Sequence, residues 1–486
     1  MPSIRNGSLL MLGCEVTELS EQPVSCCPHP ELHDWLHAKR SEMKSAITRL
    51  VQHQSFYRWD ESAVPFGAGI DGCLREVLEI GKEMGFRTFR DPDGYYGYIE
   101  MGQGSEQLAI LCHVDVVPPG EQRSWFSAPF TLDERGGRLY GRGVQDNKGP
   151  LIAALYAMKA LQESGVPIRH RIRLIVGTDE ENLWRCIARY KEQESLPDAA
   201  FTPDSSFPVI NAEKRLVQAY LYGPPSDDLR LDCGGLFNIV PDKAYYTGAR
   251  QRQVQKQLDK LGFPWQQDGE RLVVLGQQAH ASRCDREGAN AIVRLCRALL
   301  GAGYVHPALG FCSLVVGTDP HIRALLGDVQ DNVSGKLTVN LASLKMDETA
   351  TQIGIDMRVP VTLSLDEFQK RMRKAVQELG WRYEEYDHLE PLYIPANSPL
   401  VQTLCQSYGA VMGVECIPTA SGGITYARAM RNCVPFGAHF PHHPYQAHMP
   451  NESLSMEDLL LASEIYAVAL QRLQKTSLRT SMVHPE

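Results

Sequence analysis

Residues 108–117 read LAILCHVDVV, an apolar run broken only by His113 and Asp115. A strand that is apolar on both faces belongs inside a sheet with helices on either side, the setting of parallel strands in α/β folds. The segments downstream continue the pattern. Residues 150–164 place Leu151, Leu155, Met158 and Leu161 at helical spacing and stop at Gly165. Residues 171–178 and 199–202 are again strand-like. Strands alternating with helices of this length predict an α/β domain built on a partly parallel sheet flanked by helices.

Working outward, a helical pattern begins near His33, with Leu36, Met43, Ile47, Leu50 and Val51 on one broad face. Towards the other end, Ser455 and Asp458 have the spacing of a capping box. Leu459, Ala462, Tyr466, Ala469 and Leu473 then make a 3-4-3-4 apolar stripe. The region between differs: 213–391 mixes short helices and strands with polar turns, Gly234-Gly235 and Val/Ile/Tyr-rich runs. It reads as a separate α+β domain inserted at a surface loop. The expected organisation is a first α/β part over 1–212, including an irregular extension over 1–30. An inserted domain follows over 213–391, and a second α/β part over 392–486.

Forty-nine basic against 58 acidic residues give a net charge of −9. That balance argues against nucleic acid or an anionic membrane as partner, because no basic excess exists to neutralise phosphates. No apolar run approaches the roughly 18 residues of a membrane span. The thirteen cysteines are odd in number, form no CxxC pair, and include the adjacent Cys26-Cys27, a poor disulfide framework. Reduced thiols in the cytoplasm are the expectation. The apolar stretch before Cys14 is only about five residues, short of the roughly 7–15 of a signal peptide core.

Acidic and histidine residues recur where elements end. His113 and Asp115 lie near the end of the buried strand, Asp146 stands just before a helix, and Asp179-Glu180-Glu181 follows a second strand. Asp204 follows a third, and His448 precedes the C-terminal helix. Each alone has an ordinary structural reading: a hydrogen-bonded core histidine, carboxylates at helix N-termini, a turn former beside Pro203, a surface histidine. Together they converge on the carboxyl ends of strands, where open α/β sheets bind ligands.

The motifs HVDVVP (113–118), GRGVQDNKGP (141–150), GTDEE (177–181), TPDSSFPVINAEK (202–214) and AHMPNE (447–452) occur in this order. In order and spacing the chain resembles the co-catalytic metallopeptidases that include aminoacylases, carnosinases and bacterial dipeptidases. Among them it is most similar to the PepV-type dipeptidases, from about residue 35 to about residue 474. The resemblance implies a zinc-peptidase-like catalytic domain carrying an inserted lid. It also implies two divalent cations, zinc first, with manganese or cobalt as alternatives. One ion would be held by His113 and Asp204, the other by Glu181 and His448, and Asp146 would bridge them. Imidazole and carboxylate suit zinc, and three protein ligands per ion leave room for water and substrate. Glu180 would be the general base, and Asp115 would fix the tautomer of His113. Asn147 departs from the family pattern, where a second acid is common, and Asn182 replaces the usual serine or glycine.

In the lid, the resemblance implies that His280, within GQQAHAS (276–282), stabilises the tetrahedral oxyanion. Asn238 and Arg358 would bind the substrate carboxylate, the latter through its planar fork. Gly422-Gly423 would offer backbone N–H groups. A carboxylate held close to the scissile bond leaves room for one residue beyond it, which predicts a dipeptide substrate. The insertion is longer than in relatives that dimerise through the lid, so a monomer with His280 acting within its own chain is expected. An N-acyl amino acid deacylase using the same site is the alternative reading.

Overall fold

The computed structural model describes residues 29–58 and 64–479. The reading of 1–30 as an irregular extension, with Cys14, Cys26 and Cys27, falls almost wholly outside the described residues.

Strand Gln107–His113 is buried along its whole length. It sits within a six-stranded sheet of spatial order Arg87–Arg90, Tyr96–Met101, Arg171–Gly177, Gln107–His113, Ala199–Thr202, Cys433–Pro435. The last four run parallel to one another, whereas Tyr96–Met101 is antiparallel to both its neighbours. In register, Leu108 lies opposite Ile172 on one side and Ala199 on the other, and His113 lies opposite Gly177. Because the strands are parallel, the residues that follow each of them emerge on one edge of the sheet. That edge receives His113, the 179–181 acids and Asp204.

Helix Lys148–Glu163 starts two residues after Asp146, and Gly165, at φ +72°, follows its end. It packs against the C-terminal helix Met456–Leu473. The apolar stripe expected on that helix is part of a wider apolar surface: Leu460, Ile465, Ala467 and Val468 are buried too. The cause is its position, covered by helix Lys148–Glu163 and by helix Pro399–Met412. Ser455 Oγ accepts the Asp458 N–H at 3.3 Å, which caps the first turn.

Buried apolar side chains fall into two clusters. One draws on residues between Leu36 and Val209 and between Leu392 and Leu478; the other lies between Val217 and Trp381. The second cluster underlies an antiparallel sheet of order Leu231–Gly234, Thr338–Met346, Thr351–Val359, Arg215–Gly223, Arg382–Leu389. A smaller three-stranded sheet, Lys243–Tyr246, Arg271–Leu275, Trp265–Asp268, adds to it. Three short strands join the two parts: Ile210–Glu213 pairs with Leu392–Tyr393 and with Thr419–Ser421. The chain therefore leaves the first part and returns to it side by side. Among the described residues the ten cysteines are free thiols, and no helix is long and apolar enough to cross a membrane.

Candidate active site

His113 is the last residue of its strand and is fully buried. Its Nδ1 lies 2.9 Å from the backbone carbonyl of Asp115. A carbonyl only accepts, so Nδ1 carries a proton and Nε2 is the nitrogen that faces the acids. It stands 3.0 Å from Asp146 Oδ1 and 3.7 Å from Asp204 Oδ2. The tautomer of His113 is thus set by Asp115 chiefly through its main chain. The Asp115 carboxylate stands at 3.5 Å from Nδ1, and its other oxygen accepts the Glu181 N–H at 2.9 Å. One acid thereby ties the first strand end to the second.

The other oxygen of Asp146 faces a different histidine. His448 Nε2 lies 3.2 Å from Asp146 Oδ2 and 3.1 Å from Glu181 Oε1. Two triads result, His113–Asp146–Asp204 and Asp146–Glu181–His448, each with donor atoms within 4.8 Å of one another and with Asp146 common to both. His448 reaches this position from a left-handed backbone, φ +66°.

Glu180 turns its carbonyl to the Trp184 indole N–H at 2.8 Å. Burial, together with the negative charge of Asp204 and then of Glu181 and Asp146, drives its carboxyl well above the usual range. Burial and Asp146 push Glu181 up to about 7. Burial disfavours the His448 imidazolium, but Asp146 and Glu181 outweigh that and raise it to about 11. Burial likewise opposes charge on Asp146, yet His113 and His448 hold it well below the ordinary carboxylate range. Four acids crowd two imidazoles, an arrangement that divalent cations neutralise. The donor set fits: imidazole nitrogen and carboxylate oxygen are the donors that zinc takes.

Two residues outside the expected set hold this site together. Glu452, fully buried, accepts the N–H groups of Gln145 and Asp146 at 2.9 and 3.1 Å and pairs with Arg142 at 2.6 Å. It fixes the turn that aims Asp146. Asn147 donates its amide to Asp204 Oδ1 at 3.3 Å and to the Pro203 carbonyl at 3.0 Å. An ionised acid in its place could not donate. The signal for Glu452 was its place in AHMPNE; its partners lie some three hundred residues away in sequence.

In the second part, His280 Nδ1 accepts the Ser282 N–H at 3.3 Å and lies 2.7 Å from Ser282 Oγ. Nε2 therefore carries the proton and is a donor. Burial, with Arg358 and Arg283 nearby, lowers the imidazole to about 4, so it is neutral at pH 7. Ile239 pairs with His280, which places Asn238 one residue from that pairing. Arg358 is buried and binds both oxygens of Asp356, at 2.7 and 3.1 Å, and the Gly422 carbonyl at 2.9 Å. Gly423 gives its N–H to Ser421 Oγ at 2.9 Å, so that group is already engaged. A Cβ on Gly422 would stand 3.0 Å from the Ser282 carbonyl, so a side chain there would press on the other part. Asn290 caps helix Ala291–Gly301 by accepting the N–H groups of Ile292 and Val293, a structural role.

Comparison with known proteins follows the same lines. The model of peptidase family M20/M25/M40 matches residues 109–472. The chain is 35% identical over 434 residues to "Putative dipeptidase YtjP" of Bacillus subtilis, covering 85% of this chain and 92% of that protein. It is 32% identical over 433 residues to a "Putative dipeptidase" of Staphylococcus epidermidis, covering 84% and 92%. Among solved structures, human carnosine dipeptidase 1 superposes with a TM-score of 0.56 at 14% identity, covering 92% of this chain and 98% of that one. The last of these speaks to the fold alone.

Proposed function

The chain belongs to peptidase family M20/M25/M40, and from that premise we propose that it is a dinuclear metal-dependent dipeptidase of the PepV type. The observation that carries the reading is the double-faced Asp146, one oxygen towards His113 and the other towards His448. His113 and Asp204 would hold one ion, Glu181 and His448 the other, and Asp146 both. Zinc is the assigned metal, with manganese or cobalt as alternatives. When bound, the ions supply electrophilic assistance at the scissile carbonyl and bring the pKa of water to about 7.

The chain's own residues perform the rest. Glu180, which burial and the acids around it drive above the usual carboxylate range, takes the proton of the attacking water and delivers it to the leaving nitrogen. His280 donates its Nε2–H to the oxyanion, and its lowered imidazole is neutral at pH 7. The bonds of Arg358 to Asp356 and Gly422 use one N–H on each nitrogen, which leaves one on each terminal nitrogen for a substrate carboxylate. Asn238 is its partner in that task. The 213–391 unit acts as the lid, and the approach of Gly422 to Ser282 within one chain supports a monomer with His280 acting in cis. The free thiols support a cytoplasmic enzyme.

The printed names of the relatives favour a dipeptide over an N-acyl amino acid. Assaying a dipeptide beside its N-acetylated analogue tests this: the free dipeptide is turned over faster. Preference for the acetylated compound would move the chain to the deacylases.

A further inference from the structure

A third set of donors lies outside the two triads. His442, His443 and Asp458 each bring one ligand atom to within 4.8 Å of the others. His443 Nε2 and Asp458 Oδ2 are 3.3 Å apart, and the rings of His442 and His443 have centroids 4.3 Å apart, tilted by 51°. Zinc bonds of about 2.0–2.1 Å in a tetrahedral site set neighbouring donors roughly 3.3 Å apart.

The scaffold beneath these side chains is fixed. The His443 N–H donates to the Phe440 carbonyl at 3.0 Å, and the His443 carbonyl lies 2.8 Å from His439 Nε2. His439 is anchored in turn, with its Nδ1 3.2 Å from Ser206 Oγ. Asp458 sits in the first turn of helix Met456–Leu473, its N–H taken by Ser455 Oγ. His443 and Asp458 make these bonds through main-chain atoms, so their side chains are not consumed by them. His442 is exposed while Asp458 is nearly buried, so one side of the cluster opens to water.

We propose that His442, His443 and Asp458 form a third cation site, distinct from the Asp146 pair, for zinc or another divalent ion that favours imidazole, such as cobalt or nickel. Three protein ligands and a water complete the coordination. The ion clamps the turn at 442–443 to the start of helix Met456–Leu473. His448 lies five residues further along the same loop, so the clamp also steadies the segment that carries a member of the second triad.

The test counts zinc. Chelator-stripped protein is equilibrated with zinc and dialysed, and bound metal is measured by elemental analysis. The wild type retains one equivalent more than the His442→Ala/His443→Ala double variant and one more than Asp458→Asn, with circular dichroism confirming that each is folded. Asp146→Ala, which dismantles the other pair, keeps the extra equivalent. Equal zinc in wild type and in whichever of these variants folds overturns the proposal. Because Asp146→Ala reads the extra equivalent without the other pair, the result stands whether or not that pair fills and whether or not the chain cleaves dipeptides.

Discussion

Around Asp146 two histidines and three further acids are packed together, with Nε2 atoms and carboxylates gathered at common points. On the lid the corresponding groups are already settled: Arg358 is paired with Asp356, and His280 is neutral with its Nδ1 occupied by Ser282. The first region is incomplete without cations; the second is complete in itself and keeps only a few N–H groups in reserve. The difference separates the two tasks of such a site. Cation binding needs converging charge, which buried parallel strand ends supply, whereas recognising a developing oxyanion and a carboxylate needs donors that stay in place before substrate arrives.

That contrast can be broken most severely at Glu180. Glu180→Gln should lower kcat about 10²–10⁴-fold, the range of general acid-base catalysis, while bound metal measured by elemental analysis is unchanged. A loss of metal along with activity would make Glu180 a ligand, and the division of roles between Glu180 and Glu181 would fall. His280→Ala should lower kcat about 10²–10³-fold, as for a lost oxyanion donor, with metal content intact. If zinc affinity fell instead, the lid would belong to the metal region and the comparison would collapse. A smaller effect is expected at Glu452, which touches only the turn that aims Asp146. Glu452→Gln should weaken metal binding about 10–100-fold, as for residues that orient ligands, in a zinc titration of stripped protein. No change there would show that Asp146 is positioned without it.

Much of this was legible from residue order. The apolar run before His113 announced a doubly buried strand, and the acids after 171–178 and 199–202 stood where parallel strands end, so their convergence followed from topology. What stayed hidden was who holds whom. Nothing in HVDVVP says that the Asp115 carbonyl, more than its carboxylate, meets Nδ1, or that the carboxylate crosses to the Glu181 N–H. Glu452 and Asn147 act through hydrogen bonds to segments remote in sequence, and such pairing depends on side-chain direction in three dimensions. The five residues of the stripe on the C-terminal helix are buried, but sequence periodicity does not show how many neighbours cover a helix, so the buried residues beside it were not legible.

The most direct test of the account is anomalous diffraction from crystals of the zinc-loaded protein. At the Asp146 pair, apart from any ion at His442, His443 and Asp458, the account predicts two peaks about 3.5–4 Å apart, both bonded to Asp146, one also to His113 and Asp204 and the other to Glu181 and His448. A single ion, or two ions that do not share Asp146, would contradict it.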